Sequence, residues 1–203
     1  MGAYSPSRLI NNELQNKIDE KIIKPTLKGL SDLNSDYVGF LYVGLMIINN
    51  EPFLIEFNVR MGDPECQTIL PLLNSDLGKI IYACCTKKLS SMKIKWLDKK
   101  SLCIVLCSNG YPDIYKKNVE IPHLEKITKN NNTFIYHAGT ESVDNKVYAI
   151  GGRVLNFVNI SEDLKKSREL VINEIENLGW KNGFYRKDIG FRIIDKWELF
   201  REN

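Results

Sequence analysis

Residues 55–67 read IEFNVRMGDPECQ, and this stretch predicts a β-strand that runs into a sharp Gly-Asp-Pro turn. Because side chains alternate between the two faces of a strand, Glu56, Asn58 and Arg60 share one face. Mg²⁺ takes hard oxygen ligands and is usually held by one or two protein groups together with nucleotide phosphates. An adjacent arginine can stabilise the charge on a phosphoryl group during transfer. The stretch therefore indicates a site for Mg²⁺ and phosphate.

The same residues also have ordinary structural interpretations. Glu56 and Asn58 fit a solvated strand face that binds nothing. Arg60 fits an ion pair with Asp63 or Glu65, and Asp63 itself fits the cap of a short helix that Pro64 opens. Spacing alone leaves these alternatives open.

Apolar periodicity and turn residues predict a mixture of helices and strands. The predicted helices cover residues 12–30, with a kink at Pro25, residues 75–89, and the segment from a Ser161 cap to Gly179. The predicted strands cover residues 37–48, 53–60, 102–106, 134–136 and 147–158, and a last strand or loop covers residues 185–194. The apolar run at 37–48 fits a strand buried on both faces, which pairs with residues 53–60 as a hairpin. A Lys-rich link at 90–100 predicts a domain boundary.

The composition is that of an ordinary globular chain. Of the 203 residues, 43% are hydrophobic and 26% are charged, and the formal net charge is +3. No apolar run approaches the roughly 20 residues that span a bilayer, and no signal peptide is recognisable. The Lys pairs lack an aromatic stacking platform. These features predict no membrane partner, no nucleic-acid partner and a cytoplasmic location.

Neither the cysteines nor the histidines show a metal-ligand pattern. The five cysteines contain no C-x-x-C pair and are expected to be reduced and mostly buried thiols. His137 is expected to be a satisfied core histidine, with a position beside a substrate as the alternative.

Residues 56–67 resemble the signature E-F-N-x-R-[FL]-G-D-P-E-x-Q of the phosphoribosylamine–glycine ligases, which are ATP-grasp enzymes of purine synthesis; Met61 replaces the usual Phe or Leu. Further matches, in the family's order, are MGAYSP at 1–6, HAGT at 137–140, GGRVL at 151–155 and YRKDIG at 185–190. The resemblance implies an α+β fold. It places the second half of an ATP-grasp core, an antiparallel sheet with helices, at residues 1–95, and a small mixed α/β C-terminal domain at residues 96–203.

The resemblance implies a role for each residue of the opening motif. Glu56 and Asn58 hold the Mg²⁺ or Mn²⁺ that bridges the ATP phosphates, and they are therefore part of the ATP site. Arg60 is the catalytic residue, in contact with the transferring phosphoryl group or the acyl phosphate.

Five residues are expected to bind substrate, and the resemblance implies the first two roles. Asp63 helps to hold the amine substrate, and the loop at Gly2 borders the substrate pocket. From their chemistry, Arg153, Arg186 and Lys187 are together expected to hold a ribose 5-phosphate, since Arg and Lys are the usual phosphate donors. From the residues alone, Arg153 also fits a surface side chain at a bulge, and Arg186 and Lys187 also fit ordinary surface charge.

The implied reaction joins glycine to 5-phospho-β-D-ribosylamine with ATP, through glycyl phosphate. The family's glycine-binding N-terminal region and Gly-rich phosphate loop have no counterpart in the sequence. We therefore expect the missing N-terminal half of the enzyme to be the partner of this chain, which alone is expected to bind ATP weakly and not to turn over. The alternatives are another ATP-grasp carboxylate–amine ligase and a non-catalytic remnant or interaction module.

Overall fold

The computed structural model describes residues 1–127 and 131–191, which pack as two compact units. The sheet unit combines residues 1–6, 63–72 and the described residues from 97 onward, and the hairpin unit combines residues 7–62 and 73–96. The expected domain ranges, 1–95 and 96–203, stay a prediction, since packing units need not coincide with domains. Residues 192–194, the end of the predicted last strand or loop, lie outside the described residues.

Strands and helices are interspersed along the chain. The strands are β1 (Gly2–Ser5), β2 (Tyr42–Ile48), β3 (Glu51–Asn58), β4 (Lys100–Ser108), β5 (Val119–Glu120), β6 (Thr133–His137), β7 (Thr140–Val143), β8 (Lys146–Ala149), β9 (Arg153–Ser161) and β10 (Gly183–Phe184). The α-helices are α1 (Asn12–Ile18), α2 (Lys24–Asp32), α3 (Glu65–Ile69), α4 (Leu77–Cys85) and α5 (Leu164–Leu178). Short 3₁₀ turns cover Leu70–Leu72, Leu89–Ser91 and Leu124–Lys126. This mixture of antiparallel strands and helices confirms the predicted α+β class.

An antiparallel sheet with the order β1–β4–β9–β6 forms the centre of the sheet unit, and β10 also pairs with β4. β4 and β9 are buried along almost their whole length, β4 as a continuous apolar run and β9 with Asn156 and Asn159 among its buried residues. On one face, α5 packs against both strands and buries Val171 and Leu178 completely. Cys103 and Val105 belong to a separate buried cluster of the same sheet. A second sheet has the order β5–β8–β7.

The helix predicted to end at Gly179 is confirmed as α5, and Gly179 adopts a φ of 61°, which favours glycine at a helix end. The predicted cap, Ser161, is wrong by two residues. Asp163 is the N-cap, and its carboxylate accepts from the Lys165 backbone N–H at 2.9 Å. Ser161 Oγ instead accepts from the Asp163 N–H at 3.1 Å. Both residues precede the first turn, and aspartate caps a helix as well as serine does.

In the hairpin unit, β2 and β3 form the predicted hairpin as a two-stranded antiparallel sheet. Asn49 and Asn50 connect the strands with φ values of 50° and 59°, a turn conformation that asparagine tolerates. The expectation that the first strand is buried on both faces is wrong, because Met46 and Ile48 are each 52% exposed. A sheet of only two strands does not bury both of its faces by itself, and each face needs another element packed against it.

The helix predicted over residues 12–30 runs from Asn12 to Asp32, with a π-helical turn at Asp19–Ile23 between α1 and α2. Pro25 follows this turn, and its missing N–H removes a hydrogen bond from the helix at the place where the kink was predicted. The described part of the chain holds no helix with both the length and the apolar character that a bilayer crossing requires.

Glu51, at the start of β3, ties the hairpin to this helix. Its carboxylate oxygens lie 2.7 Å from Lys17 Nζ and 2.6 Å from Lys21 Nζ. Hydrogen bonds from these two ammonium groups lower the pKa of Glu51 from 4.5 to about 2.

Replacing Glu51 with glutamine is expected to lower the free energy of unfolding modestly at neutral pH, because the ion pairs are lost. The pKa of Glu51 is lower in the folded state, so its contribution is present above about pH 4.5 and disappears as the pH falls towards about 2. Urea unfolding of both proteins across this range measures the difference. A difference that does not change with pH would contradict the ion-pair explanation.

Candidate functional site

Glu56 and Asn58 lie side by side on β3, as the strand period predicts. Asn58 Nδ2 donates to Glu56 Oε1 at 3.0 Å, with Glu56 exposed and Asn58 half-buried. A half rotation of the amide brings its oxygen to the same side as the carboxylate. Two hard oxygen donors then share one open strand face, and this donor set fits Mg²⁺. Within residues 1–127 and 131–191, no group of three or more His, Cys, Asp or Glu side chains is placed to hold a metal ion.

Gly44, which the sequence reasoning missed, makes room for Glu56. The two residues pair across the hairpin, and the register shifts just after Gly44. A Cβ atom at Gly44 would lie 3.0 Å from Glu56 Cγ, so a larger residue would displace the carboxylate. The available signal is a glycine inside an otherwise apolar strand, which often marks a close approach.

Arg60 follows the end of β3 with its side chain exposed. Its Nη1 donates to the Met61 carbonyl oxygen at 2.8 Å. Asp63, one of the two acidic neighbours considered as its ion-pair partner, pairs with Arg153. The guanidinium of Arg60 thus bonds the backbone of the residue that follows it.

Asp63 and Arg153 form a two-point contact within the sheet unit, although they are 90 positions apart in the sequence. Arg153 Nη2 lies 2.9 Å from Asp63 Oδ2, and Arg153 Nη1 donates to the Asp63 carbonyl oxygen at 3.3 Å. The short helix predicted after Pro64 is confirmed as α3. From that helix Gln67 Nε2 donates to Asp63 Oδ1 at 3.0 Å. Gln67 was missed as a functional residue, although it is the last position of the signature at residues 56–67 and lies four residues after Asp63.

The backbone of Arg153 is fixed by close contacts with glycines. Gly139 N–H donates to the Arg153 carbonyl oxygen at 2.8 Å, and a Cβ atom at Gly139 would lie 2.7 Å from that oxygen. A Cβ atom at Gly152 would lie 2.2 Å from the ring of Tyr111. The register of β4 against β9 shifts beside the Cys107–Arg153 pair. The bulge considered in the sequence is therefore present, but Arg153 is ion-paired and half-buried.

Gly2 and Arg186 line one cavity of the sheet unit, with a volume of about 410 Å³. Gly2 lies on β1 opposite Ile104, where a Cβ atom would meet the Cys103 carbonyl oxygen at 2.5 Å. Arg186 Nε donates to Asp188 Oδ1 at 2.9 Å, and a second guanidinium nitrogen bonds the other carboxylate oxygen. The pairing raises the pKa of Arg186 and lowers the pKa of Asp188. The cavity therefore carries a charged guanidinium and a charged carboxylate.

Lys187 is directed towards α5. Its Nζ lies 3.5 Å from Glu176 Oε1 and 5.8 Å from the centre of the Tyr185 ring. A guanidinium nitrogen of Arg168 also donates to the Lys187 carbonyl oxygen. Of the five predicted substrate residues, the structure thus joins Asp63 with Arg153 and Gly2 with Arg186.

The histidine expectation was wrong, and the cysteine expectation holds in part. His137, at the end of the edge strand β6, is exposed, with Nδ1 2.8 Å from Thr140 Oγ1. All five cysteines are free, but only Cys103 and Cys107 are buried. Burial raises the pKa of Cys103 to about 12, so this thiol stays protonated and unreactive.

Comparisons with known proteins show which family the chain resembles. Two family models match, the phosphoribosylglycinamide synthetase ATP-grasp (A) domain over residues 1–66 and the C domain over residues 101–192. The phosphoribosylamine–glycine ligase of Caldanaerobacter subterraneus subsp. tengcongensis is 43% identical over 189 residues, covering 93% of this chain and 45% of the relative. The chloroplastic phosphoribosylamine–glycine ligase of Arabidopsis thaliana is 41% identical over 198 residues, covering 96% of this chain and 37% of the relative. The trifunctional purine biosynthetic protein adenosine-3 of Gallus gallus is 44% identical over 195 residues, covering 96% of this chain and 19% of the relative.

A solved structure is also similar. The crystal structure of phosphoribosylamine–glycine ligase from Thermotoga maritima matches with a TM-score of 0.73 and 29% identity, over 93% of this chain and 46% of that chain. The chain therefore spans less than half the length of these three curated relatives.

The fold and the matched domains define a protein of the ATP-grasp class. The chain belongs to the phosphoribosylglycinamide synthetase family, that of the phosphoribosylamine–glycine ligases. The resemblance carried by residues 56–67 is confirmed.

Proposed function

We propose that this chain supplies part of the active centre of an ATP-dependent ligase that joins glycine to 5-phospho-β-D-ribosylamine. The observation that carries the proposal is the contact of 3.0 Å between Glu56 and Asn58 on an open strand face, in a chain of this family. The products are ADP, phosphate and glycinamide ribonucleotide.

Glu56 and Asn58 are the residues that would hold a divalent cation together with the phosphates of ATP. Carboxylate and amide oxygens suit Mg²⁺, and Mn²⁺ accepts the same ligands. When bound, the cation neutralises the negative charge of the phosphates. The role of these two side chains is to fix that charge at one place on a rigid strand.

Arg60 is proposed as the catalytic residue. It lies two positions beyond Asn58 in the sequence, with an exposed guanidinium. A guanidinium stabilises charge on the phosphoryl oxygens without any proton transfer, because it stays charged at all relevant pH values. No covalent bond to the protein is needed.

The reaction has two steps. An oxygen of the glycine carboxylate attacks the γ-phosphorus of ATP, the bond to the β,γ-bridging oxygen breaks, and ADP leaves glycyl phosphate behind. The amine nitrogen of phosphoribosylamine then attacks the glycyl carbonyl carbon, the carbon–oxygen bond to phosphate breaks, and the nitrogen loses a proton. Phosphorylation turns a poor leaving group into a good one, so the protein mainly positions the reactants.

The sheet unit is proposed to bind the amine substrate. Asp63 accepts a hydrogen bond from its amine, and Gly2 lets the backbone of β1 approach the substrate closely. Arg153, Arg186 and Lys187 bind the ribose 5-phosphate as charged donors. Each of these cations already has a carboxylate nearby, Asp63, Asp188 and Glu176 respectively.

The partner proposed for this chain is the region that its relatives carry outside the matched residues. Large apolar side chains of the hairpin are exposed, among them Phe53, Ile55 and Val59 at 53%, 62% and 74%. An uncovered apolar patch of this kind marks a surface that another segment covers. Free cysteines fit the reducing cytoplasm as the location.

The proposal is tested with a chimera in which this chain replaces the 189 matched residues of the Caldanaerobacter enzyme, which is 43% identical there. We expect glycine-dependent release of ADP from the chimera in the presence of phosphoribosylamine, and none from the chain alone. A folded chimera that binds ATP but shows no glycine-dependent turnover would refute the proposal. Turnover with another carboxylate in place of glycine would identify a different ligase of the class.

A further inference from the structure

The carboxylate of Asp63 is held from two sides. Its Oδ2 lies 2.9 Å from Arg153 Nη2, and its Oδ1 accepts from Gln67 Nε2 at 3.0 Å. A carboxylate that is bonded at one oxygen only can turn about its last bond. With both oxygens bonded, its plane is fixed, and the direction of the Arg153 guanidinium is fixed with it.

The orientation of the Gln67 amide follows from chemistry, since only its NH₂ group can donate to a carboxylate. Gln67 Oε1 then lies buried, with no hydrogen-bond partner in the described part of the chain. Leaving a buried acceptor unpaired is unfavourable for folding. The Gln67 amide therefore lowers the free energy of unfolding through its unpaired oxygen. Its hydrogen bond to Asp63 is the contact that explains an amide at this position.

The backbone under Gln67 is rigid. The adjacent Thr68 is 1% exposed, and both its N–H and its hydroxyl donate to the Pro64 carbonyl oxygen, at 3.2 Å and 2.9 Å. α3 also packs against β1 and β4 of the same unit. The amide of Gln67 thus projects from a fixed point.

We propose that Gln67 is a positioning residue that acts through Asp63 to aim Arg153 at the phosphate of the amine substrate. This inference rests on the proposed function for the identity of the anion. Arginine has five N–H donors. Two of the guanidinium nitrogens bond Asp63, and the orientation that results determines where the remaining donors point.

The groups near the amide allow a pH-dependent test. Asp63 and Arg153 are the charged side chains in this contact, and Glu65 lies on the same helix. Burial raises the pKa of the Cys66 and Cys103 thiols, which therefore stay neutral. In Gln67→Glu, the new carboxyl can donate to Asp63 only while it is protonated, and its proximity to Asp63 favours the protonated form.

The first arm measures KM in the chimera. Gln67→Ala is expected to raise KM for phosphoribosylamine about tenfold, with KM for glycine and kcat nearly unchanged. A rise in KM for glycine alone would instead assign Arg153 to the glycine carboxylate and overturn the proposal.

For Gln67→Glu, the rise in KM for phosphoribosylamine is expected to be smaller at about pH 6 than at about pH 8, whereas the rise for Gln67→Ala is expected to be constant with pH. The matched control is Gln15→Ala, because Gln15 Nε2 also donates to an aspartate four residues away, Asp19, at 3.0 Å, in an exposed contact.

The second arm needs no turnover. The Nε–H resonance of Arg153 in this chain, identified by its loss in Arg153→Lys, reports how firmly the guanidinium is held. We expect it to persist in wild type and Gln15→Ala and to broaden in Gln67→Ala. An unchanged resonance in Gln67→Ala overturns the proposal. A chimera without turnover refutes the proposed function, while broadening in Gln67→Ala still supports Gln67 as the residue that positions Arg153.

Discussion

Replacing Glu56 with glutamine is expected to lower ADP release by the chimera by about 10²–10³-fold. The substitution keeps the size of the side chain and removes the negative charge that a divalent cation requires. The cation concentration needed for half-maximal rate is expected to rise in parallel. Activity assayed over a series of Mg²⁺ concentrations measures both effects.

The matched control for this variant lies on the same strand. Glu51 occupies the other end of β3 and pairs with two lysines, so its replacement by glutamine removes a carboxylate without touching Asn58 or Arg60. We expect the Glu51→Gln chimera to keep nearly full activity. Equal losses of ADP release in the two variants would show that Glu56, like Glu51, contributes only to folding. The assignment of Glu56 as a metal ligand would then be wrong.

Replacing Phe157 with alanine is expected to lower the free energy of unfolding by about 3–5 kcal/mol. Phe157 is fully buried at the centre of β9, with Ile104 and Ile135 as its neighbours on β4 and β6. Deleting the ring leaves a cavity in the core on one face of the sheet, which cannot readily collapse because the three strands pair along their length. Urea unfolding of the chain measures the loss.

Phe184→Ala is the control for this variant, since it removes the same ring from the same unit. Phe184 is 37% exposed on the short strand β10, so its loss is expected to cost much less, about 1 kcal/mol or below. If both alanine variants lost the same amount, the central sheet would not be the main source of stability in this chain.

Local patterns predicted the main elements of the fold, although the strand expected at 147–158 is two strands, β8 and β9, in different sheets. The apolar periodicity of α5 and the apolar run of β4 are typical of a sheet with a helix packed on it. The hairpin of β2 and β3 was also predicted, but its burial was not. An apolar run predicts that a strand is covered, and it carries no information on whether the covering segment belongs to the described residues.

In the candidate site, contacts within one strand were also predictable, and contacts between distant parts of the chain were not. The relation between Glu56 and Asn58 follows from the alternation of a single strand, so the sequence was sufficient to predict it. The pairing of Asp63 with Arg153 joins positions far apart in the chain, and no local pattern encodes it. Gln67 and Gly44 were missed because their importance comes from the side chain that each one contacts, and that neighbour is known only once the fold is known.

The sheet unit is assembled from three separate stretches of the chain, and this sets a limit on where the chain can be cut. A fragment that begins at residue 97 keeps β4 and β9 but loses β1, which covers the edge of β4 at Leu102 and Ile104. It also loses α3 from the face that holds Cys103. Exposed strand edges and apolar faces promote self-association. Expression of such a fragment is expected to yield aggregates, whereas nicking the chain within residues 73–96 leaves every strand of this sheet in place.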